Sequence, residues 1–361
     1  MTDRLRVAVV GCGVVGTLHI EGYRSLPDRF EVVALCDADL GRAREAAETN
    51  AVPRVLDDFD AVCRLDGLDV IDLCTPPHLH HGQMLRALDA GRHVLCEKPL
   101  AASLAEVDQV MAAEKRSGRR LMPIFQYRFG NGLQKLRLLV ARRVTGRAYL
   151  TTVETAWRRR AAYYAVPWRG KWATELGGTL VSHAIHAHDL VYYVLGPARS
   201  VTAHMATRVN PTETEDCVTA SLEMADGSLC SLAVTTGSTA EISRHRFCFE
   251  NLSAESNTAP YRNSREPWTF VGDSPEIDAR IAEVLRDFVP EPEGFAGQFR
   301  RFHDAVASGI ELPVTLADAR AAIELITALY HAARTRQPVS LPLAADHPLY
   351  GGWQPPHLAR P

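Results

Sequence analysis

The chain has 361 residues, with 40 lysines and arginines against 43 aspartates and glutamates, and a formal net charge of −3. At roughly 150 residues per domain this length suggests two domains, and 46% hydrophobic with 23% charged residues is the profile of an ordinary globular protein. That balance excludes a disordered chain, a collagen-like chain and a polybasic nucleic-acid binder.

The first third alternates short β-rich runs with helical patterns. The runs are Arg6–Val10, Glu31–Leu35, Val70–Leu73 and His93–Cys96. The helical patterns are Val15–Ser25, Leu40–Asn50, Leu79–Ala90 and Ser103–Ser117. Such alternation predicts a parallel sheet with right-handed crossovers. Ser103 with Glu106 reads as a capping box, and Gly91 as a helix-ending glycine. After about residue 123 the strands lengthen and alternate: Tyr149–Ala156, Ser200–Met205, Cys217–Met224, Ser228–Thr235 and Arg244–Glu250. Asp226-Gly227 between two of them signals a hairpin. Helical patterns recur at His183–Val194, Phe295–Ser308 and Leu316–Arg334, and Ser253–Pro292 carries no assignable pattern. The expected fold is an α/β Rossmann domain over 1–123. It is followed over 124–361 by an α+β substrate-binding and oligomerisation domain with a large, open, mostly antiparallel sheet. The C-terminal helices are candidates to pack back on the first domain.

Gly11-Cys-Gly13-Val-Val-Gly16 stands between a β-run and a helical pattern. There Gly11 permits the tight turn, Gly13 lets backbone approach a pyrophosphate, and Gly16 lets helix pack on strand. Val14 and Val15 would open the helix whose N–H groups face the phosphates. Asp37, 21 residues past Gly16, is placed to accept hydrogen bonds from the adenosine ribose. That favours NAD over NADP, although Arg42 nearby weakens the preference and leaves NADP open. Thr75-Pro76 through His80, and Glu97-Lys98-Pro99, fall at strand ends, where open α/β sheets bind ligands. Lys98 is thus placed to face the nicotinamide, with His80 near the cofactor.

At these motifs the chain resembles the glucose–fructose oxidoreductase/inositol dehydrogenase (Gfo/Idh/MocA) family. Its members share the glycine turn, a T-P-x-x-x-H segment and an E-K-P loop. The likeness continues in Gly177-Gly-Thr-Leu-Val-Ser-His-Ala-Ile-His-Ala-His-Asp189, where members tend to show G-G-x-x-x-D-x-G-x-H-x-x-D. It implies that Lys98 hydrogen-bonds the reacting oxygen, that His186 is the general acid/base, and that Asp189 orients it. Ser182 and Ala184 depart from the pattern. Were the segment one helix, Ser182, His186 and Asp189 would share a face.

Trp157-Arg-Arg-Arg160 through Tyr163-Tyr164 to Trp168-Arg169-Gly-Lys-Trp172 is rich in flat rings and cations. It is a candidate sugar-binding wall, with the triple arginine equally readable as a solvated loop. Trp168 and Arg169 are candidates for both cofactor and substrate. Tyr127, Arg128 and Ser182 are further substrate candidates. No C-x-x-C pair occurs among the eight cysteines, and the histidine clusters His78/His80/His81 and His183/His186/His188 lack the residues that would close a zinc site, so no metal is expected. No stretch is long and apolar enough to span a bilayer, and the short run Leu5–Val10 is no secretory segment, so the cytoplasm is the expected compartment.

The expected activity is NAD(P)-dependent oxidation of a secondary hydroxyl of a sugar, polyol or glycoside, or the reverse reduction. Two alternatives stand beside it. One is tightly bound NAD recycled in isomerisation or redox-assisted glycoside cleavage. The other is a dinucleotide-binding regulator without catalysis. The partner expected is a carbohydrate-like small molecule, with a homodimer or homotetramer through the open sheet and no nucleic acid or membrane.

Overall fold

The computed structural model describes residues 4–355. The chain forms two compact units, Met1–Ile124 with Phe295–Arg320, and Phe125–Gly294 with Ala321–Pro361.

The first unit begins β1 (Leu5–Val10), α1 (Val14–Arg24), β2 (Phe30–Cys36), α2 (Leu40–Asn50), β3 (Val55–Leu56), α3 (Phe59–Cys63) and β4 (Val70–Leu73). It continues α4 (His80–Asp89), β5 (His93–Cys96), α5 (Leu104–Ser117) and β6 (Leu121–Pro123). The strand order is β3-β2-β1-β4-β5-β6, with every pair parallel. Both faces of such a sheet are covered, and β4 is buried at all four residues. The strand order reverses between β1 and β4, so a crevice opens where the chain leaves these two strands. Asp39 caps α2 and Ser103 caps α5 with side-chain oxygens, the latter accepting from the Glu106 N–H at 3.1 Å. Phe295–Arg320 returns to this unit: Phe299 stacks on Tyr23 at 4.3 Å, and Gln298 Nε2 donates to the Pro123 carbonyl at 2.7 Å.

The second unit holds α6 (Asn131–Ala141), β7 (Ala148–Arg158), the short helices α7 (Ala161–Tyr164), α8 (Trp172–Glu175) and α9 (Thr179–Ser182), and α10 (Ile185–Leu195). There follow β8 (Ala198–Ala206), β9 (Cys217–Met224), β10 (Leu229–Thr235), β11 (Gly237–Phe249), β12 (Leu252–Glu255), β13 (Thr269–Gly272) and α11 (Pro275–Arg286). The chain ends with α12 (Gly294–Ser308), α13 (Leu316–Thr335) and β14 (Val339–Ser340). The eight-stranded sheet runs β13-β12-β11-β7-β10-β9-β8-β14. Its pairs are antiparallel except β7 with β10. β9 and β10 form the hairpin signalled by Asp226-Gly227: Gly227 has φ +89°, and the Asp226 carboxylate accepts from the Ser228 N–H at 2.9 Å. Leu133, Leu136, Leu139, Leu190, Phe247 and Trp268 pack the core between helices and sheet. Each such side chain contributes roughly 1.5–3 kcal/mol through burial.

The stretch without assignable pattern, Ser253–Pro292, supplies most of β12, all of β13 and α11. Ser274 caps α11 from its side chain, with Pro275 in the first turn, a helix-start signature present in the sequence. The expected helix His183–Val194 starts instead at Ile185, after a break at His183-Ala184.

Candidate active site

In the first unit the glycine turn follows β1 directly. Gly11 has φ +98°, and a Cβ there would come 2.5 Å from the Cys74 carbonyl oxygen at the end of β4. A Cβ on Gly16 would collide with the Gly11 carbonyl oxygen. Gly13, by contrast, would meet nothing within 4 Å. It caps α1 without any side-chain bond, leaving the first N–H groups of the helix, with Val14 and Val15, open on that side. Val14 is 82% exposed, unusual for an apolar residue on a motif that faces a crevice. The turn therefore fits a pyrophosphate in shape and in dipole.

Asp37 follows β2 on the same edge of the sheet. Its carboxylate accepts from the Cys12 N–H at 2.7 Å and the Asp39 N–H at 2.9 Å. Arg42 reaches it at 3.3 Å and also pairs with Asp39 at 3.2 Å. Thr75 donates its hydroxyl to Gln83 at 2.6 Å, and Pro76 leads into a tight turn over Pro77–Leu79. Lys98 leaves β5 with its N–H bonded to the Glu97 carboxylate at 3.1 Å.

His80 corrects an expectation. It is fully buried, with one ring nitrogen 2.8 Å from the Pro99 carbonyl and the other 2.8 Å from the Thr75 carbonyl. It ties the two loops together from within and presents no ring edge to a ligand. Burial holds its pKa below the usual value.

In the second unit, Phe125 and a 3-10 turn over Gln126–Phe129 precede α6. The Tyr127 ring stacks on His186 at 4.4 Å and 15°, and Phe125 meets the same imidazole edge-on at 6.2 Å. His186 is buried to within 4% of its surface. Asp189, one turn further along α10, takes two hydrogen bonds from Arg128, Nε at 2.8 Å and Nη2 at 2.6 Å. Both partners are buried, and the Arg128 guanidinium also lies over Tyr193 at 4.8 Å. Arg128, expected to bind substrate, is thus the anchor of Asp189.

Ser182 also departs from expectation. Its hydroxyl donates to the Gly178 carbonyl at 2.8 Å and lies 2.7 Å from His183 Nδ1. The Ala184 N–H reaches back to Thr179, five residues away, and α10 starts afresh. A serine bonded to the carbonyl four residues back bends a helix in this way. Ser182 therefore does not share a helix face with His186 and Asp189.

The aromatic, arginine-rich stretch is not a solvated loop at its start. It is the end of β7 and the two residues after it: Trp157 and Arg159 are buried while Arg158 and Arg160 are exposed. Trp157 packs on Tyr261 at 4.3 Å and on His183 at 5.4 Å. The Arg159 guanidinium lies 5.1 Å above Trp157 and pairs with Glu241 at 2.9 Å. Arg169 stacks over Tyr163 at 3.9 Å and Trp168 at 4.3 Å, beside the buried Glu175.

Sequence models of known families match both units. The model described as "Oxidoreductase family, NAD-binding Rossmann fold" matches residues 5–125. The GFO/IDH/MocA C-terminal domain matches residues 133–251. The chain belongs to the Gfo/Idh/MocA oxidoreductase family. It is 36% identical over 210 residues to D-glucoside 3-dehydrogenase of Escherichia coli (strain K12), covering 57% of this chain and 58% of that protein. It is 27% identical over 192 residues to myo-inositol 2-dehydrogenase of Thermotoga maritima, covering 53% and 55%. The chain thus spans little more than half of these two relatives. The WlbA dehydrogenase of Bordetella pertussis, crystallised with NADH and UDP-GlcNAcA, superposes with a TM-score of 0.84 at 27% identity. That match covers 95% of this chain and all of the other. The first unit is the family's NAD-binding fold, and the glycine turn with Asp37 is the part that would hold the dinucleotide.

Two groups of polar residues carry no motif that led to them. Under the glycine turn, the buried His19 lies between Asp72 at 2.8 Å and Glu97 at 3.1 Å, and the Tyr23 hydroxyl donates to Asp72 at 2.8 Å. An acid inside the apolar run Val70-Ile-Asp-Leu73 was the available signal, because a buried carboxylate demands a partner. Under the Gly177-Gly178 pair, Glu215 accepts from the N–H groups of Gly178 at 3.1 Å and Leu180 at 3.0 Å, and from the Tyr330 hydroxyl at 2.8 Å. Burial pushes its pKa up to about 7 against these donors. No helix of the described residues is long and apolar enough to cross a membrane.

Proposed function

We propose that the protein is an NAD-dependent dehydrogenase acting on a secondary hydroxyl of a sugar, polyol or glycoside, with Lys98 and His186 moving the proton. The observation that carries this reading is the placement of Lys98. It leaves a parallel strand on the same sheet edge as the glycine turn and Asp37, and both neighbours are tied down, Glu97 through its carboxylate and Pro99 through its carbonyl to His80. A bound nicotinamide would accept or supply the hydride. The chain's own task is to hold the hydroxyl and take its proton. The Lys98 ammonium hydrogen-bonds the reacting oxygen and lowers the cost of its negative charge. His186 accepts the proton, imidazole being the side chain whose free pKa, about 6.5, lies closest to neutrality. Tyr127 keeps the imidazole plane fixed by stacking, and the Arg128–Asp189 pair fixes the helix turn below it. Trp168 and Arg169 are offered as wall residues for cofactor or sugar, and Ser182 as a support of His183. Arg42, paired with Asp37 and Asp39, supports NAD over NADP, since its charge is already shared by two carboxylates. The open face of the second sheet is proposed to pair copies of the chain.

The test is a reduction screen with NAD and, separately, NADP against D-glucosides, free hexoses, inositols and UDP-sugars, followed by NADH absorbance. Substrate-dependent NADH formation with at least one sugar, and a preference for NAD, is expected. A protein that binds NADH yet reduces nothing across the panel would favour the regulator. Cofactor retained through gel filtration would favour internal recycling.

A further inference from the structure

We propose that His19 is a positioning residue for the reaction: held as an imidazolium between Asp72 and Glu97, it keeps the Glu97 carboxylate ionised and fixed beside Lys98. His19 stands on α1, three residues past Gly16, and is fully buried. Its Nδ1 lies 2.8 Å from Asp72 Oδ2 and its Nε2 3.1 Å from Glu97 Oε1. A neutral imidazole donates from one nitrogen and turns a lone pair outward from the other. Two ionised carboxylates, one at each nitrogen, are both satisfied only when both nitrogens carry hydrogen.

The groups that face the ring agree. Asp72 of β4 is joined by Cys74, just past the strand, whose Sγ is 3.3 Å from Nδ1. From α1, Tyr23 donates its hydroxyl to the same Asp72 oxygen. From α12, the rings of Phe295 at 4.4 Å and Phe299 at 5.2 Å cover the imidazole and exclude water. Burial, the largest single influence, would lower the His19 pKa, but Asp72 and Cys74 together outweigh it and hold the ring well above its usual value. Glu97 is likewise held below the usual carboxylate range, burial being outweighed by His19 and Lys98. Its second oxygen accepts from the Lys98 N–H at 3.1 Å. The cation on His19 is therefore one carboxylate removed from Lys98. His19, Asp72 and Cys74 also have the side chains of a metal site, with ligand atoms within 4.8 Å of one another. Burial pushes the Cys74 thiol up to about 12, so a metal there would have to displace its proton on binding.

The inference rests on the role given to Lys98 above, but its tests need no substrate. In protein carrying 15N-labelled histidine, both His19 ring nitrogens are expected to show protonated shifts from pH 6 to 9 (about the accessible range). A single protonated nitrogen at neutral pH, or stoichiometric metal in the purified protein, overturns the proposal. The second test follows acetylation of Lys98 by acetic anhydride against pH, read by mass spectrometry, in the wild type and in His19→Gln. With the cation gone, the buried Glu97 takes up a proton, Lys98 loses the negative charge beside it, and the labelling midpoint is expected to fall by about one pH unit. An unchanged or raised midpoint overturns it. Should His19→Gln fail to fold, the nitrogen shifts of the wild type decide alone. If the sugar screen fails while both results hold, the positioning stands and the assigned reaction falls.

Discussion

Glu97 in the first unit and Glu215 in the second are both buried glutamates beneath a loop that carries site residues, and their environments push them in opposite directions. Glu97 faces the charges of His19 and Lys98 and is held low. Glu215 is met by two backbone N–H groups and a tyrosine hydroxyl, and burial drives it up to about 7. Full opposite charges outweigh desolvation, whereas three dipoles do not. The same contrast runs through the two units. Lys98 is fixed through ions and backbone carbonyls. His186 is fixed by a stacked ring, with an ion pair one turn away.

The largest expected effect breaks that ion pair. Arg128→Met strips the buried Asp189 carboxylate of the two hydrogen bonds that Arg128 donates, which costs about 3–5 kcal/mol. That is a large share of the 5–15 kcal/mol that typically holds a domain together. Denaturant unfolding should show it as a lower midpoint, and loss of about 0.5 kcal/mol or less would mean that the pair contributes little. The next effect concerns pH. Because the folded-state pKa of Glu215 is raised, the folded protein keeps a proton that the unfolded chain releases above pH 4.5. Stability from this group is full below that value and declines as pH rises towards 7, by about 3 kcal/mol. Glu97 works in the opposite sense: its contribution is present above about pH 4.5 and is lost as pH falls through its lowered folded value. Glu215→Gln should therefore flatten the stability profile between pH 4.5 and 7, and an unaltered slope would place the titration elsewhere. Smallest is Tyr127→Leu. It removes a ring stacked on His186, worth about 1 kcal/mol, and should lower kcat several-fold with little change in NADH affinity.

Much of the first unit was legible because its motifs are local. The glycine turn, Asp37 and the strand-end lysine each lie within a few residues of a strand, and their spacing reports a backbone need. His80 and His19 were not legible in the same way. Their partners lie 19 and 53 residues away, and nothing local tells a tie between loops from a ligand contact. In the second unit the misreadings share one origin. The serine that bends the chain at Ser182 looks compatible with a continuous helix, and Arg128 finds Asp189 across 61 residues. The burial of Trp157 and Arg159 continues the alternation of β7 one residue past its end, a period that the run of three arginines obscures.

We propose that Lys98 and His186 carry the proton of the oxidised hydroxyl. This role is tested by steady-state NADH formation in Lys98→Met and His186→Ala, measured on whichever sugar the wild type oxidises, with NADH affinity followed by fluorescence. In each variant kcat is expected to fall by about 10²–10⁴ while the dinucleotide binds as before. Turnover near that of the wild type in both would contradict it.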